Sequence, residues 1–406
     1  MRLALLPLAL AAFAIGMAEF VVMGILPELA EGLNVTIPEA GRLISAYAIG
    51  VVVGAPILTA AASRMEHKRL LLVLLLVFVV GSVASTVAPT YEVLLGARFL
   101  TGLPHGAFFG VGAIVAAGMV PHDRRARAIA VMMAGLTMSN VIGVPLGTLA
   151  AQQFGWRTAF AIVVIIGVAA VVAVATVVPT QTRAARVGVA AEARALLRPA
   201  VWLTLLTGAV GFGGLFAFYS YVAPMMTELA GFSPSSVTLI LALLGIGMTI
   251  GNFLGGRLAD WKLLPSLYVS IAVLAGMLSV MYVAVHTAAF AAVMAFVIGV
   301  CASTPIPMIQ TRLLDVASDA PTLASSLHHS AFNLANANGA WLGGLAIGAG
   351  FGLASPNLVG AGLALLGLVL AVLSGSLRST RPPRATAPAA QADSQPAAMS
   401  VPGAHA

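Results

Sequence analysis

The sequence predicts an all-α integral membrane protein of about twelve transmembrane helices, arranged as two six-helix bundles. Three observations support this prediction: the composition, the length of the apolar runs and a repeat within the chain. Of 406 residues, 60% are hydrophobic and 8% are charged, with a mean hydropathy of +1.03. Soluble globular domains have about 25% charged residues, so the chain is expected to lie in a lipid bilayer.

The apolar runs are long enough to cross about 30 Å of hydrocarbon. They begin near Leu5, Leu43, Leu70, Val93, Ala128, Ala159, Ala200, Val237, Pro265, Ala288, Ala324 and Asn357. Each run is continuous and ends in a short polar turn. This pattern favours helices over the alternating strands of about ten residues that form outer-membrane barrels.

The positions of Lys and Arg predict which side of the membrane each loop faces. With the first residue inside, only Arg42 and Arg157 of the 20 Lys and Arg residues fall in external loops, and Arg98 falls within a run. The others lie on the side that the positive-inside rule gives to the cytoplasm. An even number of helices then places both termini in the cytoplasm. The net charge of +7 therefore reflects topology, and no nucleic-acid partner is expected.

An internal repeat predicts the domain organisation, because transporters are often built from repeated bundles. A constant offset of 197 residues places Gly50 on Gly247, Gly54 on Gly251, Pro27 on Pro224 and Gly147 on Gly344. We expect four segments: a first six-helix bundle in 1–180, a basic cytoplasmic linker in 181–198, a second six-helix bundle in 199–380 and a disordered cytoplasmic tail in 381–406.

Glu19 is the only acidic residue well inside an expected span. A charged group at the bilayer centre costs several kcal/mol, so its presence needs an explanation. One interpretation is functional: Glu19 alternates between protonated and charged forms as a cavity changes sides, and so couples transport to protons. The alternative is structural, either as an ion pair with Arg98, which helix rise places at a similar depth, or as a neutral carboxyl group that caps the backbone.

Thr101 and His105 follow Arg98 by three and seven residues, so the three side chains share one helix face. The histidine side chain titrates close to physiological pH. His105 is therefore a candidate for relaying protons or for binding a substrate, and the alternative is a packed core residue. Thr101 is a candidate for lining the substrate cavity.

Small residues and a proline mark helix faces that pack closely or bend. Glycines recur every fourth position at Gly50 and Gly54, and at Gly102 and Gly106, and Gly251 repeats this pattern in the second half. This spacing lets helix backbones approach closely, and smooth faces also allow helices to rock. Pro145, between Gly143 and Gly147, removes a backbone donor and is expected to kink its helix.

Two further groups are candidates for the substrate cavity. His329, Asn333 and Asn336 have the spacing i, i+4 and i+7, which forms one polar stripe on a helix. The stripe faces either substrate or a neighbouring helix. Phe216 and Tyr219 belong to an aromatic cluster that suits an amphipathic ligand, with core or lipid packing as the alternative.

Several stretches together resemble one family over nearly the whole chain. In order, they are "GMAEFVVMGILPELA", "ISAYAIGVVVGAPI", "RFLTGLPHGAFFGVGAIV", "GVPLGTLAAQQFGWRTAF", "GIGMTIGNFLGGRLAD" and "AFNLANANGAWLGG". They resemble the major facilitator superfamily, in particular its drug/proton antiporter branch and the AraJ-like exporters of sugars and phenicol-type drugs. The resemblance implies alternating-access export driven by proton entry across the bacterial inner membrane.

The resemblance also implies roles for single residues. Arg98 in "LLGARFLTG" matches the fourth-helix arginine of the antiporter motif, for which it implies a part in proton coupling. "NVIGVPLGT" resembles the antiporter signature of the fifth helix. The family usually has an acidic residue after the second helix, where this chain has Ser63, whereas the second-half copy retains Asp260. A gate that depends on an acidic residue at the position of Ser63 is therefore in question.

The expected function is proton-coupled export of small organic molecules, either drugs or sugar-like compounds. The expected partners are the substrate, protons and the lipid bilayer, with a monomeric protein and no cofactor or metal besides the proton gradient. An enzyme is not expected, because the sequence has no nucleophile elbow, Walker loop or metal-spaced cluster. Two alternatives remain, a proton-driven sugar uptake carrier and a membrane sensor that binds a ligand without moving it.

Overall fold

The computed structural model describes residues 3–62, 65–121, 124–180, 197–318 and 320–377. Within these ranges the regular structure is helical and no strand is found. Ser63, the linker residues 181–196 and the tail 381–406 lie outside the described residues. The expectations for Ser63, for the linker and for a disordered tail therefore remain predictions.

Ten helical segments in the described ranges are long and apolar enough to cross a bilayer. One of them, Pro234–Ala284, has 51 residues and would extend for about 76 Å as one straight helix. Its backbone leaves the helical region at Lys262, with φ −147° and ψ 86°, so it contains two spans. Pro321–Ala346 has 26 residues. This helix is long enough to cross a bilayer, but it is more polar than the ten segments and is not among them. The described residues thus form twelve spans, as predicted.

We number these spans α1–α12 in chain order. The first half contains α1 Leu6–Gly24, α2 Ile37–Ala62, α3 His67–Val87, α4 Tyr91–Gly118, α5 Arg127–Phe154 and α6 Arg157–Val177. The second half contains α7 Pro199–Ser220, α8 234–261, α9 263–284, α10 Ala288–Val316, α11 Pro321–Ala346 and α12 Ser355–Ser376. We call the end at which α1 and α7 begin the basic end, and the other the opposite end.

The two halves repeat the same close contacts between helices. A Cβ atom on Gly50 would meet the carbonyl oxygen of Phe99, and one on Gly247 would meet that of Phe296. Gly54 and Gly251 face the carbonyls of Leu103 and Val300 in the same way. Each glycine of the first half is offset by 197 residues from its counterpart in the second half, and so is the residue that it contacts. The packing of α2 on α4 is therefore repeated by α8 on α10. The fold is therefore two six-helix bundles related by an internal repeat.

The halves contact each other mainly through two pairs of helices, α2 with α11 and α5 with α8. Ser45 Oγ donates a 3.1 Å hydrogen bond to the Ala337 carbonyl. Gln152 Nε2 donates a 2.8 Å bond to the Pro234 carbonyl, and Gly344 lies against Pro38. The last two contacts lie at the opposite end, which is therefore closed in this conformation.

Helix α5 is irregular just before Pro145. Residues Ser139–Gly143 form a five-residue π-helix, and Val144–Phe154 then continues as an α-helix. Proline has no backbone N–H group and its ring crowds the carbonyl four residues earlier, so the hydrogen-bond ladder is rearranged there. Gly143 lies against Phe13 and Gly147 against Met17, so both glycines pack on α1.

Candidate functional site

Glu19 lies at the centre of the molecule, between the two halves. Its side chain is only 2% exposed. Asn336 Nδ2, from α11, donates a 3.2 Å hydrogen bond to Glu19 Oε1, and His105 Nδ1, from α4, lies 3.9 Å from Glu19 Oε2. The carboxyl group of the first half therefore contacts a side chain of each half.

His105 is held by Tyr47 of α2. The Tyr47 hydroxyl lies 2.9 Å from His105 Nδ1 and the two rings meet edge to face, with centroids 5.9 Å apart. His105 begins the second segment of α4, after the first segment ends at Gly102. Since Pro104 lacks a backbone N–H group, this break in α4 places His105 at the level of Glu19.

Arg98 is fully buried next to this group but bonds to backbone oxygens. Arg98 Nη1 donates a 2.7 Å hydrogen bond to the Ala18 carbonyl, and Nε donates a 3.4 Å bond to the Leu43 carbonyl. The guanidinium also lies 4.4 Å from the centre of the Tyr47 ring. Among the described residues, His105 provides the only basic nitrogen within 4.0 Å of the Glu19 carboxyl group, and this nitrogen is charged only when the imidazole is protonated. The direct Glu19–Arg98 ion pair considered from the sequence is therefore not present in this conformation.

The polar stripe of α11 faces the first half. Asn336 is fully buried and contacts Glu19, while Asn333 Nδ2 donates a 3.1 Å bond to the His329 carbonyl of its own helix. The Oδ1 atoms of Asn333 and Asn336 have no hydrogen-bond partner. The half-buried His329 ring stacks on Phe109 of α4, with centroids 5.5 Å apart. Two members of the stripe, Asn336 and His329, thus contact helices of the first half.

Phe216 and Tyr219 line the site from α7. Both rings are parallel to Phe20 of α1, with centroid distances of 6.4 and 5.8 Å, and Phe216 also meets Phe332 at 5.0 Å. The Tyr219 hydroxyl donates a 3.3 Å hydrogen bond to Asn140 Oδ1 in the π-helix of α5. These rings form an aromatic wall beside Glu19 that joins both halves.

The remaining predicted residues lie away from Glu19. The Thr101 hydroxyl donates a 2.7 Å bond to the Ala97 carbonyl and faces Gly81 of α3. Asp260 is exposed near the end of α8. Gly102 packs on the Tyr47 carbonyl and Gly106 on Ala55. These glycines set the distance between α2 and α4, and Thr101 is part of the packing between α3 and α4.

Sequence reasoning missed four residues that contact the predicted ones: Phe20, Tyr47, Phe109 and Asn140. Phe109 follows His105 by four residues, so helix periodicity places the two on one face and would have indicated it. Asn140 gives no such signal, because its reach to α7 depends on the π-helix. Tyr47 is an isolated aromatic residue in a small-residue helix, and its partner His105 is 58 positions away.

This arrangement defines a class of protein. A polar residue deep in a membrane helix faces the bundle interior and marks a pathway for substrates or ions, and carriers place such sites between their repeats. The chain is thus a multi-pass membrane protein with a buried polar group between its two halves. It belongs to the Major Facilitator Superfamily, whose family model matches residues 8–322.

Known proteins agree with this assignment. The chain is 42% identical over 372 residues to the inner membrane transport protein YdhP of Escherichia coli K12, covering 91% of this chain and 95% of that protein. It is 33% identical over 346 residues to a chloramphenicol resistance protein of Streptomyces lividans, covering 84% and 88%. The fold matches a bacterial homologue of the human lysosomal transporter Spinster, with a TM-score of 0.69 at 15% identity, covering 92% and 95%.

Proposed function

We propose that the protein exports small organic molecules from the bacterial cytoplasm by alternating access, in exchange for protons. Glu19 is the group that binds the proton, and Arg98 and His105 control its surroundings. The observation that carries the proposal is the placement of Glu19. It is a buried carboxyl group at the junction of the halves, hydrogen-bonded by Asn336 of one half and 3.9 Å from His105 of the other.

This placement supports coupling for a physical reason. A charged carboxylate accepts hydrogen bonds more strongly than a neutral one, so the charge on Glu19 changes how strongly it holds Asn336. Because Asn336 belongs to α11, which packs on α2 of the other half, protonation of Glu19 biases the relative position of the halves. A proton that binds from one side and leaves on the other can thereby drive the exchange.

The chemistry of the site supports an amphipathic substrate. The aromatic wall of Phe20, Phe216 and Tyr219 offers flat apolar surface. The free Oδ1 atoms of Asn333 and Asn336 are acceptors without donors, and an unpaired buried acceptor is costly. A neutral compound with an aromatic ring and hydroxyl or amide donors fits both features. The relative from Streptomyces lividans is a chloramphenicol resistance protein, and chloramphenicol is such a compound.

The orientation follows from the charges. Arg124 and Arg198 lie in segments that join helices at the basic end, and Arg257 lies in the last turns of α8 at the same end. The positive-inside rule assigns that end to the cytoplasm. The relative from Escherichia coli is an inner membrane transport protein. We therefore place the chain in the cytoplasmic membrane of a bacterium, with both termini inside and with the closed opposite end outside.

The test is proton flux in liposomes that contain an interior pH dye. Purified protein is reconstituted and chloramphenicol is added, with the parent compared to Glu19→Gln. We expect chloramphenicol to drive proton movement in the parent and not in Glu19→Gln, because the amide cannot bind or release a proton.

The matched control is Glu28→Gln, which removes a half-buried carboxyl group of the short helix Leu26–Leu33, away from the centre. Its flux should equal that of the parent. Equal flux in the parent and in Glu19→Gln would show that Glu19 is structural. Exchange of labelled compound without proton movement in the parent would exclude proton coupling, and binding without any exchange would favour the sensor.

A further inference from the structure

Five aromatic rings form a continuous column that begins beside Glu19. Tyr47 and His105 are 5.9 Å apart between ring centroids, and His105 and Phe109 are 5.0 Å apart. Phe109 and His329 follow at 5.5 Å, and His329 and His328 at 5.9 Å. The column passes from α2 through α4 to α11, so it crosses from the first half to the second. Three of its five members are histidines.

The column runs from Glu19 toward the basic end. Helix α4 descends toward that end, and the four residues from His105 to Phe109 correspond to about 6 Å along its axis. Helix α11 runs in the opposite sense, and His329 lies seven residues before Asn336, or about 10 Å closer to the basic end. Asn336 is level with Glu19, to which it donates a hydrogen bond. His328 and His329 therefore lie on the basic side of the proposed proton site.

Phe109 interrupts this column. Its side chain is only 2% exposed and lies between the imidazoles of His105 and His329, nearly parallel to the second at 13°. An imidazole can accept a proton on one nitrogen and release it from the other, whereas a phenyl ring has no exchangeable proton. The titratable and charged groups around His105 are Glu19, Tyr47 and, through Tyr47, Arg98. On the far side of Phe109 the pair is His329 and His328.

We propose that His329 and His328 form the cytoplasmic part of the proton path, and that Phe109 is a plug that separates them from Glu19 in this conformation. This assignment rests on the proposed function for the direction of flow. When the Phe109 ring moves aside, the Glu19 carboxyl gives its proton to His105, and the proton passes through His329 and His328 to water at the basic end. Each imidazole gains and then loses one proton, so only Glu19 changes charge.

A plug is needed because a carrier must never expose its proton site to both sides at once. The opposite end is closed in this conformation, and it opens when the halves move. If Phe109 were absent, Glu19 would stay accessible from the basic end after that movement. Protons would then cross without substrate.

The test is therefore a proton leak without any substrate. Parent and variant proteins are reconstituted with an interior pH dye, and a potassium gradient with valinomycin supplies the driving voltage. We expect Phe109→Ala to raise the leak by about tenfold, which corresponds to about 1.4 kcal/mol in a barrier. The double variant Phe109→Ala with His329→Gln should return to the parent rate, because the path would lack its next proton acceptor. Phe109→Leu retains an apolar plug and should remain tight.

Phe78→Ala is the matched control, because Phe78 is equally buried but lies on α3 against Gly167 of α6, outside the column. Its leak should equal that of the parent. A tight Phe109→Ala would overturn the plug, and so would an equal leak in Phe78→Ala. A leak that His329→Gln leaves unchanged would overturn the histidine path. None of these results depends on the substrate-driven flux of the parent, so failure of the proposed function is recognised separately.

Discussion

Asn336 donates a 3.2 Å hydrogen bond to Glu19, although the two residues are 317 positions apart and belong to different halves. Asn336 is fully buried and Glu19 is 2% exposed, so water does not compete for this bond. The next residue along α11 is Ala337, whose carbonyl accepts a hydrogen bond from Ser45 of α2. The hydrogen bond from Asn336 to the Glu19 carboxyl group thus lies directly beside the hydrogen bond that joins α2 to α11.

The first prediction concerns this bond. Asn336→Leu removes the donor and leaves a buried carboxyl oxygen unpaired, at a cost of about 1–3 kcal/mol in this conformation. The population in which the opposite end is closed should fall at least fivefold relative to the population in which it is open, which corresponds to about 1 kcal/mol. Spin labels at Glu31 and Phe351, both exposed at that end, measure the change as a population at longer distance.

Two features of the chain make this measurement clean. Cys301 is the only cysteine, so a Cys301→Ala background carries no unwanted label. Asn333→Leu is the control, because the Asn333 amide donates to its own helix and not to the other half. Its distance distribution should match the background. An unchanged distribution in Asn336→Leu would contradict a role for the bond in holding the closed end.

The second prediction concerns Arg98. Its guanidinium donates to two carbonyls on different helices and stacks on Tyr47, which one ammonium group cannot reproduce. Arg98→Lys should therefore lower stability by about 2 kcal/mol, seen as a lower melting temperature in detergent. Arg157→Lys is the control, because Arg157 also stacks on an aromatic ring, that of Trp156 at 4.1 Å, but it is exposed and its 2.8 Å hydrogen bond goes to one carbonyl, that of Ala88. Equal melting temperatures for the two variants would show that the two hydrogen bonds of the Arg98 guanidinium have no special role in stability.

Much of the fold can be predicted from the sequence, because membrane helices are recognisable by their length and apolar composition. The repeat is also visible in the sequence. Gly50 and Gly247 make equivalent contacts, because helices that cross this closely leave no room for a side chain and require glycine in both halves. The sequence predicts a run that begins near Pro265, and the helix break lies three residues earlier, at Lys262, because a proline is tolerated in the first turn that follows a break.

The candidate site was less predictable, since it depends on pairs that are distant in sequence. Glu19 stood out because a lone acid in an apolar run is costly. Its neighbours could not be predicted in the same way. The rotation of each helix decides whether His105, Arg98 or Asn336 contacts Glu19, and periodicity alone does not determine that rotation. The spacing from Arg98 predicts that Thr101 lines the cavity, but its hydroxyl donates to the Ala97 carbonyl and lies on the α3 side.

The third prediction uses the repeat. A methyl group at Gly50 or at Gly247 would press on the carbonyl of Phe99 or Phe296, so Gly50→Ala and Gly247→Ala should each cost about 1–3 kcal/mol through overpacking. Gly110→Ala is the control, because no atom lies within 4 Å of the added carbon and alanine is favoured over glycine in helices by about 1 kcal/mol. Melting temperatures in detergent measure all three. A Gly247→Ala protein as stable as Gly110→Ala would contradict the equivalence of the halves.

The fourth prediction separates the two roles of Tyr47. Tyr47→Phe keeps the ring beside Arg98 but removes the hydroxyl that lies 2.9 Å from His105 Nδ1. The loss in stability should be about 1 kcal/mol, whereas substrate-driven proton flux should fall about tenfold because His105 loses the contact that orients it. Tyr91→Phe removes a comparable 2.9 Å bond, to the Glu39 carbonyl, far from the site. It should lose similar stability and keep its flux, and a parallel fall in both variants would make the Tyr47 hydroxyl merely structural.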